Sequence, residues 1–182
     1  ALGDGTVMTM TASIGWTALV PGQGTPDSLL KEAELAMYAA KSGGRDQARR
    51  FEPSMQHDLL RRELLIHDLR NAIADGGLAL HLQALTERTG RITGAEMLLR
   101  WTRPGGEMVS PAEFIPVAEE SGLILPLGNW VLDCACSQLA AWSARPSTRG
   151  LSLAINVSAR QFTDPGFVNR VRRALAAKGA DP

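Results

Sequence analysis

Gly94-Ala95-Glu96-Met97-Leu98-Leu99-Arg100-Trp101 is the stretch that decides the fold, because it places a carboxylate and a guanidinium inside an otherwise apolar run. Side chains alternate between the two faces of a β-strand, so Glu96, Leu98 and Arg100 share one face. Charged side chains are rarely buried unless they are paired or bind a ligand. The stretch therefore predicts a strand with one packed face and one polar face. Its two charges form either an ion pair across a solvated sheet or part of a binding site.

Two further segments alternate in the same way. Residues 78–85 place Gln83 on the face opposite their leucines, and residues 151–158 place Asn156 opposite their leucine, isoleucine and valine side chains. In each strand the polar groups lie in the C-terminal half, and a helix-rich stretch separates the second strand from the third. These features predict an α/β fold of the β/α-barrel type, whose polar site gathers at the C-terminal ends of the strands. An antiparallel sandwich shows similar alternation but does not need the long helical connection.

Turn residues and helical periodicity predict the other elements. A strand over Val7–Trp16, with a bend or bulge at Gly15, precedes a helix that follows an N-cap at Asp27 and ends near Ser42. The further helices are predicted over residues 54–74, 111–121, 126–142 and 165–178, with a capping box between Ser110 and Glu113. Only Thr86–Gly90 joins the first barrel strand to the second, which is too short for a crossover, so this pair is predicted to be antiparallel.

Composition excludes some classes of partner. The 182 residues carry 19 basic and 19 acidic side chains, so no broad positive surface for a nucleic acid polymer is expected. No apolar run approaches the roughly 18 residues of a membrane span. Cys134 and Cys136 lie two apart in a helical pattern, which favours core packing over a disulfide or metal site and fits a reducing cytoplasm. A membrane anchor in upstream segments is compatible with this expectation.

The three histidines, His57, His67 and His81, lack the spacing of metal ligands. His81 shares a strand face with Gln83 and therefore lies near the candidate site. A buried and hydrogen-bonded imidazole is nevertheless the expected state of His81.

Five ordered motifs now point to a family. They are Gln83, Glu96–Trp101, Ser110–Pro116, Ala118–Gly122 and Asn156–Ser158. Together they resemble the N-terminal half of an EAL domain, the cyclic di-GMP phosphodiesterase domain of bacterial signalling, from about residue 55 to residue 182. The resemblance implies an incomplete (β/α)8 barrel, because a closed one needs about 250 residues. Met97 departs from the family's usual alanine or valine, and Ala84 departs from its usual proline.

The segment before the EAL-like part resembles the C-terminal end of a GGDEF (diguanylate cyclase) domain. The resemblance rests on Thr11–Gly15, Glu34–Lys41 and the Gly44-Arg45 pair. It implies a division into a GGDEF-like remnant over residues 1–50, a linker and connecting helix over 51–75, and an EAL-like half barrel over 76–182. Lys41 and Arg45 match family residues that hold GTP phosphates, although basic residues also stabilise a helix C-terminus. Without the glycine-rich signature loop, no cyclase activity is inferred.

The EAL resemblance also implies roles for individual residues. Glu96 and Asn156 match metal ligands, and their oxygen atoms suit Mg²⁺ or Mn²⁺, two ions of which are expected in a complete domain. Arg100 matches a residue that contacts the substrate phosphate, while Gln83 and Leu98 match residues that contact the substrate. From the residues alone, a strand-end turn cap is favoured over a metal ligand for Asn156, and Gln83 can equally be a satisfied polar group at the barrel mouth.

The resemblance implies a phosphodiesterase that opens cyclic di-GMP to the linear dinucleotide by metal-dependent hydrolysis. Because further metal-binding carboxylates and a lysine belong to the family's second half, the 182-residue chain alone is expected to be inactive. The alternatives are a degenerate EAL domain that binds cyclic di-GMP as a receptor, or a regulatory scaffold. Either is compatible with a homodimer.

Overall fold

The computed structural model describes residues 9–22 and 24–180, and these divide into two compact units between Glu63 and Leu64. The twelve elements, in chain order, are β1 (Ile14–Trp16), α1 (Pro26–Ser42), β2 (Ala48–Arg50), α2 (Ser54–Asp75), β3 (Leu78–Thr86), β4 (Ile92–Thr102), β5 (Met108–Val109), α3 (Pro111–Ser121), α4 (Ile124–Ser143), β6 (Ser152–Ile155), α5 (Ala159–Phe162) and α6 (Phe167–Lys178). The boundary between the two units falls within α2, inside the segment predicted to connect the domains.

The first unit contains a small βαβ arrangement in which β1 and β2 pair in parallel. The predicted strand over Val7–Trp16 is shorter than expected, because regular pairing covers only Ile14–Trp16, and Val7 and Met8 lie outside the described residues. Gly15 is not a bulge. A Cβ atom on Gly15 would lie 2.0 Å from the Met37 backbone nitrogen, so its missing side chain lets α1 approach the strand closely.

The N-cap of α1 is Thr25 rather than the predicted Asp27. The Thr25 hydroxyl accepts from the Ser28 backbone N–H, and the Ser28 hydroxyl accepts from the Thr25 backbone N–H. Pro26 occupies the first helical turn, where its fixed φ and missing N–H cost nothing, so Asp27 becomes a first-turn acid instead of the cap.

The second unit is built around β4. β3 lies antiparallel along one edge of β4, which confirms the orientation predicted from the short connection. The opposite edge pairs in parallel with β6 over Gly94–Met97 and antiparallel with β5 at Trp101–Thr102. This edge of β4 is therefore left without a strand partner at residues 98–100. α3 and α4 form the helical connection between β4 and β6, as predicted.

The apolar face of β4 packs on helices. Trp101 and Phe114 are 1% and 0% exposed, and their rings meet edge to face with centroids 5.4 Å apart. Leu69 of α2 and Leu127 of α4 close the same core. The predicted phase of alternation is thus confirmed, because the face that carries Trp101 is the packed one.

Several local predictions need correction. Ser110 is the N-cap residue of α3, but its side chain makes no capping hydrogen bond, so the predicted capping box does not form. Three short elements escaped the sequence patterns: β2 has three residues, β5 has two, and α5 has four. The last helix begins at Phe167 rather than near residue 165 because α5 and a turn occupy the preceding residues.

No single helix among the described residues is long and apolar enough to cross a membrane. α3 and α4 pass that test of length and composition only as a pair, with a bend of 119° between them.

Phe114 and Phe162, two phenylalanines of the second unit with very different exposure, give a matched test of this core. Phe114→Ala removes a fully buried ring and is expected to lower the free energy of unfolding by about 3–5 kcal/mol. Phe162→Ala removes a ring that is 75% exposed and is expected to change it by less than about 0.5 kcal/mol. Urea unfolding followed by circular dichroism measures both. Equal losses in the two variants would contradict the assignment of the core.

Candidate active site

The site begins with a carboxylate and two amides on the polar face of the sheet. Glu96 lies directly opposite Gln83 in the β3–β4 register and opposite Ala154 in the β4–β6 register. The Asn156 Nδ2 donates a hydrogen bond to the Glu96 Oε1 at 2.7 Å. Residues from three separate parts of the chain therefore lie together at Glu96. Glu96 is half-buried, whereas Gln83 and Asn156 are exposed.

Asn156 is brought to Glu96 by the end of β6. The strand stops at Ile155, one residue before Asn156, and Ser158 then caps α5 by accepting from the Gln161 backbone N–H. Gly94 makes the pairing of β6 possible, since a Cβ at that position would lie 2.3 Å from the Ser152 carbonyl oxygen. Asn156 therefore does sit at a strand end, as the turn-cap interpretation proposed. Its amide donates to Glu96 across the sheet.

Arg100 lies on the same strand face but does not pair with Glu96. Its Nη1 donates to the Leu99 carbonyl at 2.8 Å, on the edge of β4 that lies between β5 and β6. Within the described part of the chain no ion pair joins Arg100 to Glu96, so the ion-pair interpretation of the opening sequence is wrong. As a whole residue, Arg100 is half-buried.

The prediction that the polar residues gather at the C-terminal ends of all three strands needs correction. Because β3 is antiparallel, the C-terminal half of β3 lies against the N-terminal half of β4. Gln83 consequently meets Glu96, while Arg100 lies opposite Ala79. Glu96 and Arg100 are four residues apart, so their Cα atoms are separated by about 13 Å along the strand. The site is an elongated strip along β4 with Leu98 in the middle.

His81 lies opposite Leu98 and is exposed, not buried as expected. It has no hydrogen bond or ion pair with any of the described residues. Sequence reasoning placed His81 on the correct face but misjudged its environment, because β3 runs along the margin of the described sheet and its polar face is uncovered.

A cavity of about 460 Å³ opens beside the strip, next to the unpaired edge of β4. Arg100 and Asn156 line this cavity together with apolar residues of α3 and α4 such as Ile115 and Leu127. Gln161, which sequence reasoning did not single out, is a buried polar residue in this wall. Its side chain is held by the capping box of α5.

Lys41 and Arg45, the two residues matched to a GTP phosphate site, are both exposed. Lys41 lies in the last turn of α1, where a basic side chain also interacts favourably with the helix C-terminus. Arg45 adopts a left-handed backbone conformation with φ of 63° just beyond the helix. Both the nucleotide role and the helix-capping role stay predictions.

Three pKa shifts are resolved among the described residues. Burial, reinforced by the Asp133 charge, raises the pKa of both Cys134 and Cys136. Cys136 is packed in a core between α4 and α6, as predicted, whereas Cys134 is only half-buried. The pKa of Asp164, in the turn after α5, is lowered because its carboxylate accepts from the Gly166 backbone N–H at 2.9 Å and from Arg170 at 2.6 Å.

Fold and site together define a class of protein: a mixed α/β domain that holds a carboxylate–amide pair and a separate guanidinium on one strand face. Residues 66–182, more than half of the chain, match the EAL domain family model. The chain belongs to the EAL domain family.

Known proteins of this family resemble the chain over nearly all its length. It is 41% identical over 175 residues to the bifunctional diguanylate cyclase/cyclic di-GMP phosphodiesterase MucR of Pseudomonas aeruginosa, covering 95% of this chain and 25% of that protein. It is 36% identical over 166 residues to the cyclic di-GMP phosphodiesterase PdeR of Escherichia coli, covering 91% of this chain and 25% of that protein. The chain thus spans about a quarter of the length of these curated relatives.

Solved structures show the same likeness. The MucR phosphodiesterase in complex with c-di-GMP superimposes with a TM-score of 0.61 at 40% identity, over 65% of this chain and 48% of that one. The FimX EAL domain of Xanthomonas citri in complex with c-di-GMP gives a TM-score of 0.58 at 28% identity, over 68% of this chain and 47% of that one.

The Asp164 turn gives a prediction with a defined pH dependence. Because the folded-state pKa lies below the ordinary value of about 3.9, the carboxylate stabilises the fold above that pH, and this stabilisation is lost as pH falls through the folded-state pKa. Asp164→Asn is therefore expected to lower the melting temperature at pH 7, and its difference from wild type should shrink below about pH 4. Thermal unfolding across pH 3–7 measures this.

Asp133→Asn is the control for the Asp164 variant, because the Asp133 carboxylate is largely exposed and pairs with Lys178 at the surface. Little change in melting temperature is expected there. An Asp164→Asn effect that stays constant from pH 7 to pH 3 would contradict the proposed role of its carboxylate.

Proposed function

We propose that the protein containing this chain is a cyclic di-GMP phosphodiesterase that opens the cyclic dinucleotide to the linear one. The observation that carries the proposal is the Glu96–Asn156 pair, with an N–O distance of 2.7 Å, facing Gln83 inside an EAL domain. The names of MucR and PdeR, which describe cyclic di-GMP phosphodiesterases, support it. In the reaction, one phosphoester P–O bond breaks and the oxygen of a water molecule takes its place on phosphorus.

The donor chemistry of the pair fits a hard divalent cation. Glu96 offers carboxylate oxygens, and the Asn156 amide offers its carbonyl oxygen once it turns from the hydrogen bond it now donates. Mg²⁺ or Mn²⁺ is suited to one or two such protein ligands together with water and substrate phosphate. Such a cation, when bound, supplies the Lewis acidity that activates water and offsets charge on the phosphoryl group.

The described residues contain no cluster of three or more carboxylate, histidine or cysteine side chains arranged for a metal. The two ions proposed for the complete domain therefore need further ligands beyond Glu96 and Asn156. We propose accordingly that the described sheet is one wall of the β/α barrel that the family resemblance implies.

Arg100 is proposed to hold a phosphate of the substrate. Its fork already donates to the Leu99 carbonyl, which fixes the guanidinium near the strand while leaving other N–H groups for an anion. Leu98 supplies an apolar surface between the phosphate-binding end and the carboxylate end of the strip, and Gln83 offers amide donors and acceptors beside Glu96.

For the first unit we propose a GGDEF-like remnant, with Lys41 and Arg45 as the residues that would contact GTP phosphates. The support is the likeness to MucR, whose name includes a diguanylate cyclase and whose similarity covers 95% of this chain. The exposed positions of both side chains near the end of α1 are compatible with that role.

Three variants of the full-length protein test the site. Glu96→Ala is expected to abolish hydrolysis, because it removes the carboxylate ligand. Arg100→Ala is expected chiefly to weaken binding, by about 1.5–3 kcal/mol for a lost charge-assisted hydrogen bond. Met97→Leu, a volume-conserving change on the buried face of the same strand, is expected to keep activity within a few-fold. Calorimetric binding and chromatographic turnover are measured separately.

These measurements test the assignment of the strand face and distinguish an enzyme from a receptor. Loss of turnover in Met97→Leu with activity kept in Glu96→Ala would show that the wrong strand face has been assigned. Tight binding of cyclic di-GMP by the wild type without any turnover, at saturating Mg²⁺ or Mn²⁺, would favour a receptor over an enzyme.

The isolated 182-residue chain gives a separate prediction. With two side-chain ligands and an uncovered strip, it is expected to show no hydrolysis of cyclic di-GMP even with Mg²⁺ or Mn²⁺ supplied. Mass spectrometry of the nucleotide after prolonged incubation measures this. Turnover that Glu96→Ala removes would contradict it.

A further inference from the structure

His81 is an exposed imidazole in the middle of the strip that the proposed function leaves unused. It lies opposite Leu98 in the β3–β4 register, two residues from Gln83 along β3. Adjacent pairs on this face are Gln83 with Glu96 and Ala79 with Arg100. His81 is therefore placed between the carboxylate end and the guanidinium end of the strip.

The other charged and amide groups of the strip are largely engaged. Glu96 accepts from Asn156, and Arg100 donates to the Leu99 carbonyl. His81 and Gln83, by contrast, are exposed and have no hydrogen-bond partner among the described residues. An exposed pair of hydrogen-bonding side chains on one strand face, with about 7 Å between their Cα atoms, is spaced to contact one planar ligand group.

The surroundings of His81 indicate which part of a nucleotide it meets. Leu98, directly opposite, offers an apolar surface suited to a base rather than to a phosphate. The Hoogsteen edge of guanine presents two adjacent acceptors, N7 and O6, whereas adenine replaces the O6 acceptor with an amino donor. An imidazole N–H and the Gln83 amide N–H₂ are both donors and match the guanine edge.

We propose that His81 is a base-recognising residue, whose ring N–H donates to the Hoogsteen edge of a guanine lying over Leu98. With Gln83 it favours guanine over adenine in a cyclic dinucleotide. The inference rests on the proposed function, because it assigns a specificity residue to the same site.

Binding of cyclic di-GMP and of cyclic di-AMP to the full-length protein tests this, measured by calorimetry in EDTA so that neither ligand is hydrolysed. His81→Ala is expected to weaken cyclic di-GMP binding about three- to tenfold, the effect of one neutral hydrogen bond, with little change for cyclic di-AMP. His81→Gln, which keeps a donor, should restore part of the affinity. His81→Phe, which keeps only the ring, should not.

His67→Ala is the matched control, because His67 is also exposed but lies on α2 and contacts Asn71. His67→Ala should change the affinity for neither cyclic di-GMP nor cyclic di-AMP. Circular dichroism confirms that each variant is folded, as expected for an exposed position.

The possible outcomes distinguish a failure of the role of His81 from a failure of the proposed function. If the wild type binds cyclic di-GMP and Arg100→Ala weakens binding, but His81→Ala leaves the preference for guanine unchanged, the role of His81 is refuted and the proposed function stands. A loss of affinity that is equal for both dinucleotides also refutes it. If the wild type binds neither dinucleotide, the proposed function fails and the role of His81 fails with it.

Discussion

The alternation of side chains along β4 is the constraint on which the second unit depends. A strand has a period of two, so burying Trp101 against Phe114 on one face commits Glu96, Leu98 and Arg100 to the other. A shift of one residue would bury a carboxylate and a guanidinium in an apolar core, at a cost comparable with the net stability of a domain. The packing of the helices and the composition of the site therefore have a single cause.

The short connection before β4 decides what surrounds Glu96. Five residues cannot carry the chain back for a parallel strand, so β3 runs antiparallel and its C-terminal half meets the first half of β4. Gln83 is thereby placed opposite Glu96, and Asn156, the residue after β6, donates to Glu96 from the other edge of β4. β3 and β6, which run in opposite directions, thus each place one amide side chain beside the Glu96 carboxylate.

β6 ends early, at Ile155, and therefore leaves residues 98–100 of β4 without a strand partner on that edge. A backbone carbonyl at such an edge needs a partner, and Arg100 donates to that of Leu99. The same gap opens the cavity beside Asn156 and Arg100. Arg100 therefore satisfies a backbone carbonyl of its own strand, and its further N–H groups remain available for an anion.

The sequence by itself determined the face of each residue and the helical connection, because periodicity is a local property. It also determined the antiparallel first strand from the length of one loop. Only the tertiary structure decided that Asn156 donates to Glu96, that Arg100 turns to its own strand and that His81 is exposed. These outcomes depend on where strands end and what covers them. Gly15, read as a bulge, is likewise explained only by the helix that lies 2.0 Å from where its side chain would be.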